Sequence, residues 1–211
     1  MKDNFRLECL TVGMLQTNCY LLQNKDTSGM IIVDPGADAD RIDMKINEMG
    51  GKPAAIFLTH SHMDHILAVR ELKKRYPDCW LVVCEKEEPL YRVSTEVIPG
   101  IPAEVAGEPD LWVKDGDVLN LIGTDLRVLH TPGHSCGSAC YYFPELDIMF
   151  SGDTLFCQSC GRTDFPTGSG YDMMRSLERI ASEIPDETEV FPGHMGFTTV
   201  ADEKRFNPYM R

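Results

Sequence analysis

An apolar run, Ala54–Thr59, leads directly into a segment that holds three histidines and one aspartate within six residues: His60, His62, Asp64 and His65. The run predicts a buried strand, and the residues after it predict a loop that turns into a helix. Histidines two positions apart in an extended loop can direct both rings toward one point. Imidazole nitrogen and carboxylate oxygen are ligands that divalent ions such as zinc favour. The segment therefore predicts a metal site at a strand end, and a solvated histidine-rich turn is the alternative.

Three other residues with metal-binding side chains occupy the same kind of position. They follow predicted strands in this order: His134 after Leu126–Leu129, Asp153 after Ile148–Ser151, and His194 after Glu189–Phe191. A glycine stands immediately before each of the three, and glycine lets the backbone approach other groups closely. For each of them alone, a hydrogen-bonded loop residue is the alternative. Four strand ends that together use five of the six histidines favour one shared site.

The remaining pattern predicts a β-rich first part, an alternation of helices and strands, and a β-rich second part with a closing helix. Further strands are predicted at Leu7–Val12, Cys19–Gln23, Met30–Val33, Trp80–Cys84, Val118–Leu121 and Ala139–Phe143. The predicted helices have apolar faces at Ile42, Ile46 and Met49, at Ile66, Val69 and Leu72, and at Tyr171, Met174, Leu177, Ile180 and Ile184. Two sheets with helices on their outer faces fit this order best.

A single domain over residues 1–211 is expected, because no repeat, low-complexity tract or linker-like stretch divides the chain. The stretch Glu85–Asp110 contains four prolines. It predicts an irregular segment that serves as a lid or a binding loop.

Composition disfavours several kinds of partner. The formal net charge is −13 and no extended cluster of Lys and Arg is present, which argues against a nucleic-acid partner. No segment approaches the roughly 18 consecutive apolar residues of a membrane span, and the first residues lack the apolar run of a signal peptide. A cytoplasmic protein without a membrane partner is expected, with its eight scattered cysteines reduced. The oligomeric state stays open.

The order of the candidate ligands resembles that of the metallo-β-lactamase fold superfamily. The resemblance rests on His60-x-His62-x-Asp64-His65 followed by His134, Asp153 and His194, with the early turn Asp34-Pro35-Gly36 and the final Pro192-Gly193-His194. It covers nearly the whole chain. The implied fold is α/β, an αββα sandwich in which two mixed β-sheets are flanked by helices and the metals lie at one edge of the sheets.

The resemblance implies a dinuclear site for two divalent metal ions, zinc in the first place, with iron or manganese as alternatives. The implied ligands are His60, His62 and His134 for the first ion, Asp64, His65 and His194 for the second, and Asp153 as a bridge. Asp64 and Asp153 are the implied catalytic carboxylates. Asp34 corresponds to an aspartate that orients a ligand histidine without touching the metal. Water between two divalent cations ionises near neutral pH, so the site predicts a hydrolase with a metal-bridging hydroxide as nucleophile.

Two stretches of the second half resemble the glyoxalase II-like, single-domain branch of that superfamily. They are Gly152-Asp153-Thr154-Leu155-Phe156 and Cys160-Gly161-Arg162-Thr163-Asp164-Phe165, and the ending Arg205-Phe206-Asn207-Pro208-Tyr209 is similar to that of its compact bacterial members. The branch implies a hydroxyacylglutathione hydrolase-like thioesterase. Such an enzyme cleaves S-2-hydroxyacyl thioesters of the S-lactoylglutathione type to a hydroxy acid and a thiol. The implied partner is therefore a small-molecule thioester.

The chain departs from the glutathione-specific members of this branch in two places. They have a C-terminal helical domain that binds the peptide of the thiol, whereas this chain continues for only 17 residues after His194. They read Lys-x-Tyr where this chain has Arg162-x-Asp164. Arg162 either binds a substrate carboxylate or pairs with Asp164 to hold the loop. The identity of the thiol therefore stays open.

Other functions share parts of the same pattern. A persulfide dioxygenase with one ferrous iron would use His60, His134 and Asp153, and a lactonase would use the same hydroxide as the thioesterase. A non-enzymatic alternative is a metal or thiol redox sensor built on Cys157 and Cys160.

Two further residues near the motifs receive minor assignments. His130 is assigned to packing or to the orientation of a ligand, and Cys136 to a contact with substrate.

Overall fold

The computed structural model describes residues 2–92 and 106–210, and its first sheet is built from the N-terminal half. The strands of this sheet lie side by side in chain order: β1 (Phe5–Val12), β2 (Thr17–Asn24), β3 (Gly29–Val33), β4 (Lys52–Leu58), β5 (Trp80–Cys84) and β6 (Leu111–Val113). The first three strands are antiparallel, and β3 to β6 are parallel. The sheet is therefore mixed.

A second mixed sheet is built from the C-terminal half. Its strands are β7 (Val118–Asn120), β8 (Asp125–His130), β9 (Ala139–Phe143), β10 (Ile148–Gly152), β13 (Glu189–Pro192) and β14 (Thr198–Thr199), in the spatial order β14-β13-β10-β9-β8-β7. Only β10 and β13 pair in parallel. A separate two-stranded hairpin is formed by β11 (Leu155–Phe156) and β12 (Ser159–Cys160).

Helices cover the outer face of each sheet. They are α1 (Ala39–Met49), α2 (Met63–Ile66), α3 (Val69–Arg75), α4 (Glu88–Tyr91), α5 (Gly170–Glu183) and α6 (Val200–Phe206), and a 3-10 turn occupies Glu85–Glu87. Residues of α1 and α3 pack on the first sheet, and residues of α5 and α6 pack on the second. The αββα sandwich with two mixed sheets is thereby confirmed. Within the described residues, no helix has the length and apolar content needed to span a bilayer.

Strand β3 shows why both faces of the sheets are apolar. Successive side chains of a strand point to opposite faces. Ile31 and Val33 enter the core between the two sheets, while Met30 and Ile32 pack beneath the helices on the outer face. All four are at most 2% exposed. Burying each such side chain contributes about 1.5–3 kcal/mol, so the run favours this doubly covered position.

The predicted helix with apolar positions at Ile66, Val69 and Leu72 is wrong as a continuous element. It divides into α2 and α3, because the backbone amide of Ala68 donates to the carbonyl of Pro35 at 3.0 Å rather than to a helical partner. A Cβ at Gly36 would overlap the carbonyl of Asp64, so the turn packs directly on α2. The contact that breaks the helix is tertiary and has no local signal.

Other expectations need smaller corrections. Tyr171 and Met174 are exposed, and Met173 takes the place on the buried face of α5 with Leu177 and Ile180. The short strands β6, β11, β12 and β14 leave no periodic pattern in the sequence, because each has only two or three residues, and α6 is a further helix that the sequence pattern does not predict. In the predicted irregular segment Glu85–Asp110, a 3-10 turn and α4 occupy the first part, and residues 93–105 lie outside the described residues.

Candidate metal centre

The strand ends that were singled out in the sequence meet at one edge of the sandwich. His60 follows β4, His134 follows β8, Asp153 directly follows β10, and His194 follows β13, while α2 supplies Asp64 and His65. Their ligand atoms form three overlapping groups, each within 4.8 Å: His60, His62 and His134; His60, His65 and Asp153; Asp64, His65 and His194. The structure thus brings together all seven predicted ligands.

The first group consists of three buried imidazoles. His60, His62 and His134 are at most 3% exposed. The Nδ1 of His62 lies 2.8 Å from the Nε2 of His134, and the Nε2 of His60 is buried without a hydrogen-bond partner. Three ring nitrogens therefore face one small volume, which is the arrangement that a tetrahedral divalent ion requires of its protein ligands.

The second group combines two histidines with a carboxylate. The Oδ2 of Asp64 lies 3.2 Å from the Nε2 of His194 and 3.5 Å from the Nε2 of His65. The hydroxyl of Thr17 donates to the same oxygen at 3.0 Å. This contact fixes the carboxylate on the side of α2 that faces the site.

Asp153 lies between the two groups. Its Oδ1 is 3.5 Å from the Nε2 of His65, and its Oδ2 is 3.5 Å from the Nε2 of His134 and 3.6 Å from the Nε2 of His194. One carboxylate therefore faces histidines of both groups.

Asp34 orients two histidines, one directly and one through a threonine. Its Oδ2 accepts from the Nδ1 of His65 at 3.0 Å and from the hydroxyl of Thr59 at 2.6 Å. Because that hydroxyl donates to Asp34, it accepts from the Nδ1 of His60 at 3.1 Å. Both rings thus carry a proton on Nδ1 and direct Nε2 into the site. The sequence predicted one such histidine, and the structure adds the second.

A backbone carbonyl fixes the ring of His134 in the same way. Its Nδ1 donates to the carbonyl of Arg162 at 2.7 Å, which leaves Nε2 free to face the site. Hydrogen bonds of this kind set the tautomer and the ring orientation of metal-ligating histidines.

Burial keeps His60 and His62 neutral. Desolvation, reinforced by the neighbouring His134, lowers the pKa of His62 to about 3. Desolvation followed by the charge of His65 lowers the pKa of His60 well below its usual range. Neutral imidazole is the form that binds metal, so these two rings are ready to act as ligands.

Carboxylates create the opposite electrostatic environment around His65. Burial alone would lower its pKa, but Asp64, Asp153 and Asp34 raise that pKa to about 10. The potential at this position is therefore strongly negative. A divalent cation is stabilised at such a point.

Glycines allow the loops to come this close. A Cβ at Gly193 would overlap the Oδ1 of Asp153 and lie 2.7 Å from the Cε1 of His65. Added Cβ atoms at Gly133 and Gly152 would overlap Met173 and Thr59 respectively. The three glycines that precede ligands therefore serve close approach, as expected from the sequence.

The donor set fits a pair of divalent ions. Within the described residues, three of the buried side-chain atoms without a hydrogen-bond partner lie in this site: the Nε2 of His60, the Nε2 of His65 and the Oδ1 of Asp153. Unpaired buried polar atoms are rare because each raises the free energy of the folded state by about 1–3 kcal/mol. Metal coordination would satisfy all three.

Comparison with known proteins identifies the family. The family model described as "Metallo-beta-lactamase superfamily" matches residues 12–194, which span all the residues of the site. The chain belongs to the metallo-β-lactamase superfamily.

Individual superfamily members match nearly the full chain. "Hydroxyacylglutathione hydrolase GloC" of Haemophilus influenzae is 33% identical over 208 residues and covers 97% of each protein. The crystal structure of the B3 metallo-β-lactamase BLEG-1 superimposes with a TM-score of 0.91 at 32% identity, covering 97% of this chain and 99% of the other. That of TTHA1623 in a di-iron-bound form gives 0.86 at 35% identity, with coverage of 96% and 99%.

A pocket of about 570 Å³ opens onto the donors of this superfamily member. Its lining combines site residues with apolar side chains and one cation: His62, Asp64, His134, Asp153, His194, Leu15, Phe156, Phe165, Met195 and Arg162. Pockets of this size, mostly apolar with a few convergent polar groups, suit small-molecule substrates.

Arg162 pairs with Asp164, which is one of the two alternatives for this residue. Its guanidinium binds both oxygens of Asp164 at 2.6 Å and lies over the ring of Phe165, 4.1 Å from the centroid. The side chain also lines the pocket, so both alternatives for Arg162 remain compatible with its position.

Cys160 and Cys136 lack the lowered pKa of a reactive thiol. Burial raises the pKa values of Cys160 and Cys136, whereas a reactive cysteine needs a lowered one. Cys157 and Cys160 are both free thiols. His130 is the one histidine that is not a candidate ligand, and its Nε2 donates to the carbonyl of Cys136 at 2.9 Å.

Thr17, Thr59 and Glu87 support the site and were missed in the sequence. Thr17 and Thr59 contact a site carboxylate through single hydroxyl groups, which no motif reveals. Glu87 lies in the charged run Glu85-Lys86-Glu87-Glu88, which is typical of a solvated surface, yet its side chain is fully buried. Only the spatial structure reveals its partners.

Proposed function

We propose that this protein is a dinuclear metal-dependent hydrolase that cleaves small-molecule thioesters, with S-2-hydroxyacyl thioesters of the S-lactoylglutathione type as substrates. The observation that carries the proposal is the overlap of the three donor groups, which share His60 and His65 and whose other members line a largely apolar pocket. Donor groups that share members suit two adjacent ions, and a pocket beside them suits a substrate of small size.

In this proposal each ligand has one role. The first ion would be held by His60, His62 and His134, the second by Asp64, His65 and His194, and Asp153 would contact both. Asp34 would keep the rings of His65 and His60 in place without touching either ion.

Two bound divalent ions would lower the pKa of a water molecule between them. Their positive charge would also polarise the scissile carbonyl. In the hydrolysis the oxygen of water forms a bond to the carbonyl carbon, the C–S bond breaks, and the thiolate takes up a proton. Asp64 and Asp153, the proposed catalytic carboxylates, hold negative charge at fixed positions beside the reacting groups. Phe156 and Phe165 cover part of the pocket wall and exclude bulk water from the acyl group.

The thioester specificity is supported by a relative and by the pocket. The name of the Haemophilus influenzae relative, hydroxyacylglutathione hydrolase, describes this reaction, and that protein matches the chain over nearly its full length. The apolar wall formed by Leu15, Phe156, Phe165 and Met195 suits the weakly polar thioester group and its short acyl chain.

We propose zinc as the native metal, with iron or manganese as alternatives. The donors are imidazole nitrogens and carboxylate oxygens, which all three ions accept. TTHA1623, at 35% identity, is described as di-iron-bound, which supports two ions and keeps iron as a candidate.

Two alternatives from the sequence fit the site less well. A one-iron dioxygenase that uses His60, His134 and Asp153 would leave four converging donors without a role. A thiol sensor is disfavoured by the raised pKa of Cys160.

A second candidate reaction, β-lactam hydrolysis, is favoured by the similarity to BLEG-1, which is described as a B3 metallo-β-lactamase. A lactonase would use the same ions and pocket as either reaction.

The test combines metal quantification with a substrate panel. Purified protein would be analysed for zinc, iron and manganese and then assayed with S-D-lactoylglutathione, a γ-lactone and a chromogenic cephalosporin. We expect two ions per chain and the highest kcat/KM for the thioester, measured as released thiol. A preference for the cephalosporin or the lactone would replace the thioester proposal. One iron per chain with uptake of O₂ would replace the dinuclear hydrolase.

We also propose that the protein acts in the cytoplasm on a small-molecule substrate, without a nucleic-acid or membrane partner. Its eight cysteines are all free, which fits a reducing compartment. Cell fractionation checks the location, and the net charge of −13 predicts no shift of a DNA probe on a native gel.

A further inference from the structure

Glu87 is a buried carboxylate that has no role in the chemistry proposed above. Its Oε1 accepts from the backbone amide and the hydroxyl of Ser61, at 2.7 and 2.8 Å. Its Oε2 accepts from the hydroxyl of Ser135 at 2.7 Å and from the backbone amide of Gly137 at 2.9 Å. The side chain is 0% exposed, and Lys86 and Lys114 form their ion pairs with Glu85 rather than with Glu87.

The donors belong to two loops that hold the first group of histidines. Ser61 stands between His60 and His62, and Ser135 directly follows His134. One oxygen of Glu87 therefore binds one loop, and the other oxygen binds the second loop. Across this connection, the Nδ1 of His62 and the Nε2 of His134 lie 2.8 Å apart.

We infer that Glu87 is a positioning residue for the first metal ion: its carboxylate joins the two loops so that His60, His62 and His134 converge before an ion binds. The inference rests on the proposed dinuclear function. It concerns how the site is assembled and assigns Glu87 no contact with metal or substrate.

The physical reason is the geometry of a carboxylate with four donors. A buried charge is tolerated only where its hydrogen-bonding capacity is satisfied, and hydrogen bonds to a carboxylate are stronger than those between neutral groups. Two of the donors are backbone amides, one on each oxygen, so both oxygens must accept. An amide at position 87 would place its NH₂ group against a backbone N–H. Without the carboxylate, the ion itself would have to order both loops, which lowers its affinity.

The test is the substitution Glu87→Gln, which conserves size and removes one acceptor. Metal-free parent and variant would be titrated with Zn²⁺ in competition with a chromophoric chelator, giving two binding constants for each protein. We expect one constant to weaken by about 10–100-fold and the other to stay within about twofold of the parent. The visible absorption of bound Co²⁺ would show whether the all-histidine position is the one affected.

Glu203 offers a matched control. It is also 0% exposed, and its carboxylate accepts from the amide of Gln158, the hydroxyl of Thr198 and the side chain of Asn207. None of these donors adjoins His60, His62 or His134 in the chain. Glu203→Gln should therefore lower the melting temperature while the all-histidine position keeps the affinity of the parent. An equal loss of affinity at that position in both variants would overturn the inference, because it would reduce Glu87 to general stabilisation.

A milder variant keeps the inference testable if Glu87→Gln does not fold. Ser61→Ala removes one of the four donors and leaves the backbone amides in place, so we expect a loss of affinity of roughly threefold to tenfold at the same position. Unchanged constants in the folded variants would overturn the role of Glu87 and leave the dinuclear hydrolase intact. A parent protein that binds fewer than two ions would instead overturn the proposed function on which the inference rests.

Discussion

At the scale of single residues, the site depends on which atom of each side chain is left free. Asp34, Thr59 and the carbonyl of Arg162 bind one nitrogen of a histidine ring and thereby direct the other nitrogen inward. The Oδ1 of Asp153 is buried with no hydrogen-bond partner, as are the Nε2 atoms of His60 and His65. A buried carboxylate oxygen without a partner lowers the stability of the folded state unless a cation or a hydrogen-bond donor contacts it.

Replacing Asp153 tests its position between the two groups. Asp153→Ala should lower the metal content from two ions to one or none and reduce kcat/KM for the thioester by at least about 100-fold, because a shared ligand is lost. Elemental analysis and the thiol-release assay measure both effects. Asp186→Ala, which removes an exposed ion pair with Lys204, is the control and should behave as the parent. Near-normal turnover of Asp153→Ala would contradict the bridging role.

Replacing Arg162 and replacing Asp164 should change KM in opposite directions. Arg162→Ala should raise the KM for S-lactoylglutathione roughly tenfold with kcat little changed, because a guanidinium that binds a substrate carboxylate contributes to ground-state binding. Asp164→Ala should lower the KM, since it frees the guanidinium from its present partner. Steady-state kinetics on both variants decide the point. If neither KM moves, Arg162 serves only to hold the loop.

At the scale of secondary-structure elements, the site is a property of the loops that follow strands. The loop after β8 passes so close to the start of α5 that a Cβ at Gly133 would lie 2.5 Å from the Cα of Met173. The amide of Ser169 also donates to the carbonyl of Gly133 at 2.8 Å. Helix α5 therefore fixes the loop that carries His134.

Adding a methyl group at Gly133 should separate that loop from the helix. Gly133→Ala introduces a Cβ where φ is +148° and where α5 leaves no space, so we expect a loss of about 1–3 kcal/mol in the free energy of unfolding. Weaker binding of the first ion should accompany it. Chemical denaturation and metal titration measure the two effects. Gly170→Ala on the same helix, where the nearest atom is 3.5 Å away, should be neutral; similar behaviour of both variants would refute the prediction.

At the scale of the whole molecule, the two sheets hold several carboxylates close together, and these negative charges repel one another. The core between the sheets is built from large apolar side chains such as Tyr141, Phe57 and Phe150, all buried. At the edge of this core, Asp34, Asp64 and Asp153 lie close together around His65. Bound cations would offset this concentration of negative charge, so we expect metal binding and folding to be coupled.

Removing the metal should therefore destabilise the protein measurably. At a free zinc concentration about 1,000 times the dissociation constant, one ion contributes about 4 kcal/mol. For a chain of this size that corresponds to a decrease in Tm of roughly 10 °C on treatment with a chelator. Differential scanning calorimetry with and without re-added zinc measures the shift. An identical Tm for the metal-free and reloaded protein would show that the site does not couple to folding.

The sequence by itself determined the candidate metal ligands and the layers of the fold. Candidate ligands are recognised by their side chains, which are given directly by the sequence. Their positions after strands such as Ala54–Thr59 and Glu189–Phe191 follow from patterns that span a few residues. Apolar alternation with period 2 or 3.6 likewise predicts which segments become strands or helices. Such information is local, so it can be read without knowing which loops meet.

The tertiary structure alone decided how the site is held. The break between α2 and α3 depends on the carbonyl of Pro35, and the second histidine oriented by Asp34 depends on Thr59. Glu87 has the sequence context of a surface residue and becomes a buried acceptor only because Ser61 and Ser135 arrive from distant parts of the chain. Hydrogen bonds between loops leave no periodic pattern, since their partners are fixed by the packing of the two sheets and not by neighbours in the sequence.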